Sequence, residues 1–368
     1  VRDNLERIAK ADCSKMMSIL PSAIQKEYRN KLEFTFSTKS WKQDYDKDAI
    51  DNGAFGFHVP GFFDKVLEID YCALQSEPSN AIRNHLRDYC SKRSLPYYNI
   101  REHSGLMRNL IVRTSTTGDV MVIVVFAQRS EEVVPLLENL RENFPQITSL
   151  MYCINEKFND TLGDQDIKCF AGKDHIEERM TSFDGKGELR FKIRPKTFYQ
   201  TNSLQAEKLY HQAAEFAGIT KDDIVYDLYT GCGTIANYVA SLSKKVVGIE
   251  YVEDAVEDAR LNSEFNNINN TTFFAGDMAK ILTEEFIEQN GRPDVIITDP
   301  PRAGMAESVI NQLLATKARK IVYISCNPAT QARDLVLLQS QYTVGRIRPV
   351  DMFPHTQHVE NIVELILK

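Results

Sequence analysis

The chain has 368 residues, 43% of them hydrophobic, enough for two compact domains with separate cores in an ordinary globular composition. No apolar run approaches the roughly 20 residues of a membrane span, and no charged-then-apolar leader opens the chain; a cytoplasmic location without a membrane partner is expected. Seven cysteines without a C-x-x-C pair exclude a zinc site or disulfide framework, so no metal is expected, and the net charge of −7 argues against non-specific nucleic-acid binding unless local basic patches override it.

The chain opens at Val1, without Met, in a polar helical stretch, and reads as N-terminally trimmed. Leu32-Glu-Phe-Thr-Phe36 alternates with period two as a half-buried strand does, and Ala54–His58 is a weaker case. Leu110–Arg113 and Val120–Phe126 flank Thr117-Gly118-Asp119 and predict a hairpin. The apolar stripe of Val133, Leu136, Leu137, Leu140 and Phe144 predicts a helix facing a core. Thr181–Gly187 is turn-rich and marks the expected boundary, with an α+β domain over 1–186 and a second domain over 187–368. Past it, Arg190, Lys192, Arg194 and Lys196 alternate with Phe191 and Ile193. An extended strand would put these four charges on one face and lead into Phe198 and Gln200. A basic rail ending in an aromatic suits an extruded base and its flanking phosphates, and a solvated edge strand is the plainer alternative. Arg29, Lys31, Arg346 and Arg348 are further basic candidates.

From Asn202 the pattern becomes α/β. Asn202 or Ser203 can cap a helix running to Phe216, with Gly218 past its end. Apolar runs at Ile224–Tyr226, Val246–Ile249, Thr272–Phe274, Val295–Ile297 and Ile321–Ile324 alternate with helical stretches and predict a parallel, doubly wound sheet with its ligand crevice at the strands' carboxyl ends. The first run leads into Asp227-Leu-Tyr229-Thr-Gly231-Cys-Gly233, where glycines let a ligand approach the backbone. Glu250, ending the second, can accept from ribose hydroxyls, as in a nicotinamide enzyme. Asp227 favours the ammonium or sulfonium of S-adenosylmethionine over a pyrophosphate. Asp277 is placed to meet an adenine edge or to cap a helix. The fourth run leads into Asp299-Pro-Pro-Arg302. Arg302 stands where amine-modifying methyltransferases carry a stacking aromatic, and predicts a charged substrate contact or a structural ion pair. The fifth run delivers Cys326, and Glu360 follows in Phe353-Pro-His355-Thr-Gln-His358-Val-Glu360. A thiol nucleophile and a carboxyl base in one site suit covalent attack on a ring followed by proton removal.

Three ordered motifs, Asp299-Pro-Pro-Arg-Ala-Gly304, Tyr323-Ile-Ser-Cys326-Asn-Pro328 and Asp351–Glu360, together with Phe198-Tyr-Gln200-Thr-Asn202, resemble the signatures of the RNA uracil-5-methyltransferases that form 5-methyluridine in tRNA or ribosomal RNA. The resemblance implies a Rossmann-type class I methyltransferase domain with a smaller α+β RNA-binding domain, S-adenosylmethionine as cofactor, an RNA substrate and, as expected here, a monomer. It implies Cys326 as nucleophile and Glu360 as base. Gln200, Tyr229, Gly231, Gly233, Glu250, Asp277 and Asp299 would line the cofactor site and Phe198 would lie against the target base. His355 and His358 match the motif and are expected mainly to pack. The N-terminal oligonucleotide-binding barrel of many members and the four-cysteine iron–sulfur cluster of some have no counterpart in this stretch. A cytosine-5 methyltransferase and a nicotinamide oxidoreductase are the rival readings.

Overall fold

The computed structural model describes residues 1–42 and 53–368. In chain order it contains α1 (Arg2–Arg7), β1 (Lys31–Ser37), β2 (Ala54–His58), β3 (Val66–Glu68), α2 (Ser79–Lys92), β4 (Met107–Thr114), β5 (Val120–Phe126), α3 (Val133–Asn143), β6 (Ser149–Ile154), β7 (Ile167–Gly172), β8 (Ile176–Thr181) and β9 (Glu188–Ile193). There follow α4 (Ser203–Ala217), β10 (Ile224–Leu228), α5 (Thr234–Ala240), β11 (Lys245–Glu250), α6 (Glu253–Phe265), β12 (Thr271–Ala275), α7 (Met278–Ile281), α8 (Glu284–Asn290), β13 (Val295–Thr298), α9 (Glu307–Thr316), β14 (Lys320–Ser325), α10 (Pro328–Leu338), β15 (Tyr342–Val350) and β16 (Glu360–Leu367). These elements form two compact units, one of Val1–Gln25, Arg179–Lys192 and Thr197–Lys368, the other of Lys26–Glu178 and Ile193–Lys196.

The latter unit is built on a seven-stranded sheet in the order β3-β2-β1-β4-β5-β6-β7. The expected hairpin is the antiparallel pair β4–β5, and the predicted helical stripe is α3, whose Leu136, Leu137 and Leu140 are buried. Because α3 carries the chain across, β5 and β6 pair parallel.

In the other unit the strand order is β12-β11-β10-β13-β14-β16-β15. The five predicted strands pair parallel. Their continuous apolar runs are what a sheet covered on both faces requires. Asn202 caps α4, its side chain accepting from the Gln205 N–H, and Gly218 ends the helix in the left-handed region. The last two strands return antiparallel, β14 to β16 and β16 to β15.

The division differs from the boundary at 186/187. Leu5, Ala9, Ala11 and Cys13 are buried in the same core cluster as Leu335, Leu338 and Ile347, and Met16 and Leu20 bridge to Ile347 and Val350. Burial of these apolar residues ties the first 25 positions to the later unit. Thr181–Gly187 is no linker but the turn between β8 and β9, closed by Ser182 N–H to Gly187 O at 2.9 Å.

Candidate active site

At the carboxyl end of β10 the chain turns through residues that need special backbone conformations. Gly233 has φ +79°, and a Cβ there would meet Ala259 Cβ and Asn237 Nδ2 at 3.0 Å. Gly231 has φ +53°, with no atom within 4 Å of where its Cβ would lie, so its backbone faces open space. Tyr229 also lies in the left-handed region, at φ +62°, a conformation that costs a bulky residue about 1–2 kcal/mol. Its N–H and that of Thr230 both reach Ile249 O, at 3.0 and 3.2 Å, which binds the turn to β11.

Glu250 ends β11 with its carboxylate held by three backbone donors: Tyr251 N–H at 2.8 Å and Val252 N–H at 3.0 Å on Oε1, and Gly231 N–H at 3.2 Å on Oε2. Tyr251 and Val252 are exposed beside it, an apolar surface that sequence reading missed although it directly follows the acidic strand end. Asp277 caps α7, accepting from Ala279 N–H at 3.0 Å. Gln200 is buried at 9% exposure.

Asp227 is fully buried. Its Oδ2 accepts from Thr230 Oγ1 at 2.6 Å and Ala236 N–H at 3.0 Å, while Oδ1 has no protein partner. Burial pushes its carboxyl up to about 7 against those two hydrogen bonds, with the Asp299 and Glu250 charges adding to the rise. Asp299 is likewise raised by burial. Glu360 is raised by burial and then by Asp299, so these two carboxyl groups resist being ionised together.

Cys326 follows β14 directly. The last paired step of the β14–β16 register sets Ser325 opposite Asn361, and one further antiparallel step aligns Cys326 with Glu360. Burial raises the half-buried thiol, Glu360 and Asp299 raise it further, and Arg302 pulls it back. The surroundings therefore favour the neutral thiol, although an attack requires the thiolate. Gln331 on α10, fully buried, spans the two strands: its Nε2 donates to Tyr323 O at 3.0 Å and Asn361 O at 3.3 Å, and its Oε1 accepts from Asn361 Nδ2 at 2.7 Å. It had no signal in the motif, because its partners are set only by the return of β16.

Phe198 is 70% exposed, and its carbonyl oxygen accepts from the Cys232 thiol at 3.3 Å. The four-charge strand is shorter than expected. β9 ends at Ile193, since Pro195 cannot donate to a ladder and disfavours continued regular structure. Arg190 and Lys192 lie on β9, whereas Arg194 and Lys196 follow it. Arg190 Nε bonds Glu188 at 2.8 Å, Lys192 Nζ stands 4.6 Å from the centre of the Phe265 ring and Lys196 Nζ donates to Gly163 O at 2.9 Å. Arg346 binds Glu364 through Nε and a terminal nitrogen at 2.8 and 2.7 Å, a structural clamp. His355 is exposed rather than packed, and His358 is half-buried. Among the described residues no group of histidine, cysteine or carboxylate side chains is arranged to hold a metal, and no helix is long and apolar enough to cross a membrane.

Comparison with known proteins gives this geometry a family. The family model described as tRNA (uracil-5-)-methyltransferase matches residues 164–368. Proteins named "uncharacterized RNA methyltransferase" from Bacteroides thetaiotaomicron and Porphyromonas gingivalis are each 53% identical over the whole of this chain, which covers 82% and 80% of their lengths. The crystal structure of the Pyrococcus abyssi tRNA (uracil-54, C5)-methyltransferase in complex with S-adenosyl-L-homocysteine superposes with a TM-score of 0.77 at 28% identity, over 99% of this chain and 81% of that one. The match runs through both the turn and the thiol strand, and on it the chain belongs to the tRNA (uracil-5-)-methyltransferase family.

Proposed function

We propose that the protein methylates carbon 5 of a uridine in structured RNA, tRNA or ribosomal RNA, through a covalent adduct on Cys326, with Glu360 as the base that removes the carbon-5 proton. The observation that carries this reading is the pairing of Ser325 with Asn361 across β14 and β16, with Cys326 and Glu360 the next residue on either side, at the same sheet edge as the turn of Asp227 and Gly231.

The residues present fit S-adenosylmethionine. Asp227 Oδ1 is a buried acceptor without a protein partner, suited to a cation; Glu250 is oriented by backbone donors and can accept from ribose hydroxyls; Gly231 leaves room for close approach. Gln200, Tyr229, Gly233, Asp277 and Asp299 complete the proposed lining. Bound there, the cofactor supplies the methyl group that carbon 5 acquires.

The chain's own part begins with Cys326. Its thiolate sulfur bonds to carbon 6 of the uracil, and the carbon 5–carbon 6 π electrons move toward oxygen 4, which makes carbon 5 nucleophilic. After carbon 5 is methylated its proton passes to Glu360, the electron pair reforms the double bond and the sulfur–carbon 6 bond breaks, returning the thiolate. A base must be ionised to accept, and a carboxyl raised toward neutrality holds the proton better than an ordinary one. Exposed Phe198 would stack on the extruded base. The unit of Lys26–Glu178, with Arg190, Lys192, Arg194 and Lys196, would carry RNA contacts.

RNA bearing 5-fluorouridine at the target tests the mechanism, because fluorine cannot leave as a proton and the adduct should persist on Cys326. Glu360→Gln with natural RNA should accumulate a methylated covalent complex, and Cys326→Ala should give none. An adduct mapped to another residue, or wild-type turnover in Glu360→Gln, removes the assignment.

A further inference from the structure

The loop that carries Arg302 is anchored on both sides, yet the guanidinium itself is left to solvent. Arg302 O accepts from Asn327 Nδ2 and from Thr330 Oγ1, both at 3.2 Å, so its backbone is tied to the residue that directly follows Cys326. Just beyond, Arg333 donates to Ala303 O at 2.9 Å and Met305 O at 3.1 Å, while Asp334 Oδ2 accepts from Met305 N–H at 2.8 Å and Tyr323 Oη at 2.6 Å. Asp334 is 1% exposed, so the loop rests on a buried post. The Arg302 side chain is exposed, and among the described residues no carboxylate pairs with it. That removes the structural ion pair as the reason for an arginine at this position. A cation on a loop fixed next to Asn327, without a carboxylate partner of its own, is available to negative charge that arises on the neighbouring Cys326.

We propose that Arg302 is the charge-compensating residue for Cys326: it stabilises the thiolate on the enzyme before RNA is attacked. The charged groups acting on the thiol are Glu360 from β16, Asp299 from the end of β13 and Arg302 from the loop after it. The two carboxyl groups oppose ionisation and Arg302 favours it. Deprotonation releases the thiol proton to solvent, and the guanidinium, always charged near neutral pH, needs no proton of its own to act. The inference rests on Cys326 being the nucleophile.

The test is the pH profile of alkylation of Cys326 by iodoacetamide in the full chain without RNA or cofactor, read on the Cys326 peptide by mass spectrometry. Sulfur displaces iodide only as the thiolate, so the rate follows the ionised fraction. Arg302→Gln should move the midpoint upward and slow alkylation at mildly alkaline pH by about three- to tenfold, the effect of removing one unit charge several ångströms away in a partly aqueous site. Arg302→Lys should retain most of the wild-type rate, and the Gln defect should shrink in roughly 1 M salt. Cys169, exposed and in the other unit, serves as the internal reference and should not change. A profile for Arg302→Gln that superposes on wild type overturns the proposal, and so does weakened RNA affinity with unaltered alkylation, which would make Arg302 a phosphate contact. Failure of the 5-fluorouridine adduct would instead remove Cys326 as nucleophile, a separate result.

Discussion

Asp227→Asn should make the protein more stable above neutral pH while weakening its hold on the cofactor. Asp227 is fully buried, and its carboxyl moves from 3.8 to about 7 on folding. Between those values the folded state holds a proton that the unfolded chain releases. Stability from this group is therefore complete below pH 3.8 and declines as pH rises through 7. A rise of about three units corresponds to about 4 kcal/mol against the ionised form, most of it lost between roughly pH 5 and 8. Asn keeps the shape and an acceptor for Thr230 and Ala236 but carries no charge. Unfolding followed at pH 5 and pH 8 should show the wild type losing about 2–3 kcal/mol more than the variant over that interval, and calorimetry should show weaker S-adenosylmethionine binding. Since Asp299 and Asp227 act on each other through their charges, the variant should also ease ionisation of Asp299, which acts in the same direction. Equal pH dependence in the two proteins would refute the claim that a buried, cation-seeking carboxyl sits at this turn.

Gln331→Leu removes the amide that spans β14 and β16 and strands the buried Asn361 side chain. It should lower stability by about 1–3 kcal/mol and slow adduct formation at saturating RNA with cofactor affinity unchanged; normal adduct rates in a folded variant would confine Gln331 to a structural part. Glu364 supports the opposite pH limb: burial alone would raise its carboxyl, but hydrogen bonds from Arg346 and Lys320 bring it down from 4.5 to about 2. Its contribution is present above pH 4.5 and lost as pH falls toward 2, so Glu364→Gln should flatten the acid decline in a melting-temperature series, and an unchanged slope would count against the clamp.

The parallel strands were legible because each obeys a local rule. Strands buried on both faces read as unbroken apolar runs, and the glycines at 231 and 233 mark the left-handed backbone of this turn, with Gly233 also packed close against Ala259 and Asn237. What escaped was non-local. Residues 1–25 join a core made almost entirely of residues more than 200 positions later, and no pattern within that stretch announces its partner. The basic strand failed for a local reason in plain view: Pro195 ends the extended run that four alternating charges would have required.

The site shows the same division between identity and state. Cys326 and Glu360 could be singled out by residue type and order, but their charge states depend on which groups the fold brings beside them. β16 must return antiparallel next to β14 for Glu360 to face the thiol, and β13 must end alongside for Asp299 to raise both. Spacing along the chain carries neither fact, and it is these neighbours that make the thiol reluctant to ionise. That reluctance has a physical use in the proposed mechanism. A cysteine kept neutral by adjacent carboxyl groups is protected from adventitious electrophiles, and its ionisation becomes conditional on positive charge. Asp227 Oδ1 offers a place for that charge on one side of the crevice and Arg302 presents it from the loop tied to Asn327. The acidity that makes this edge hospitable to a cation is thus the same acidity that would hold the proposed nucleophile in reserve.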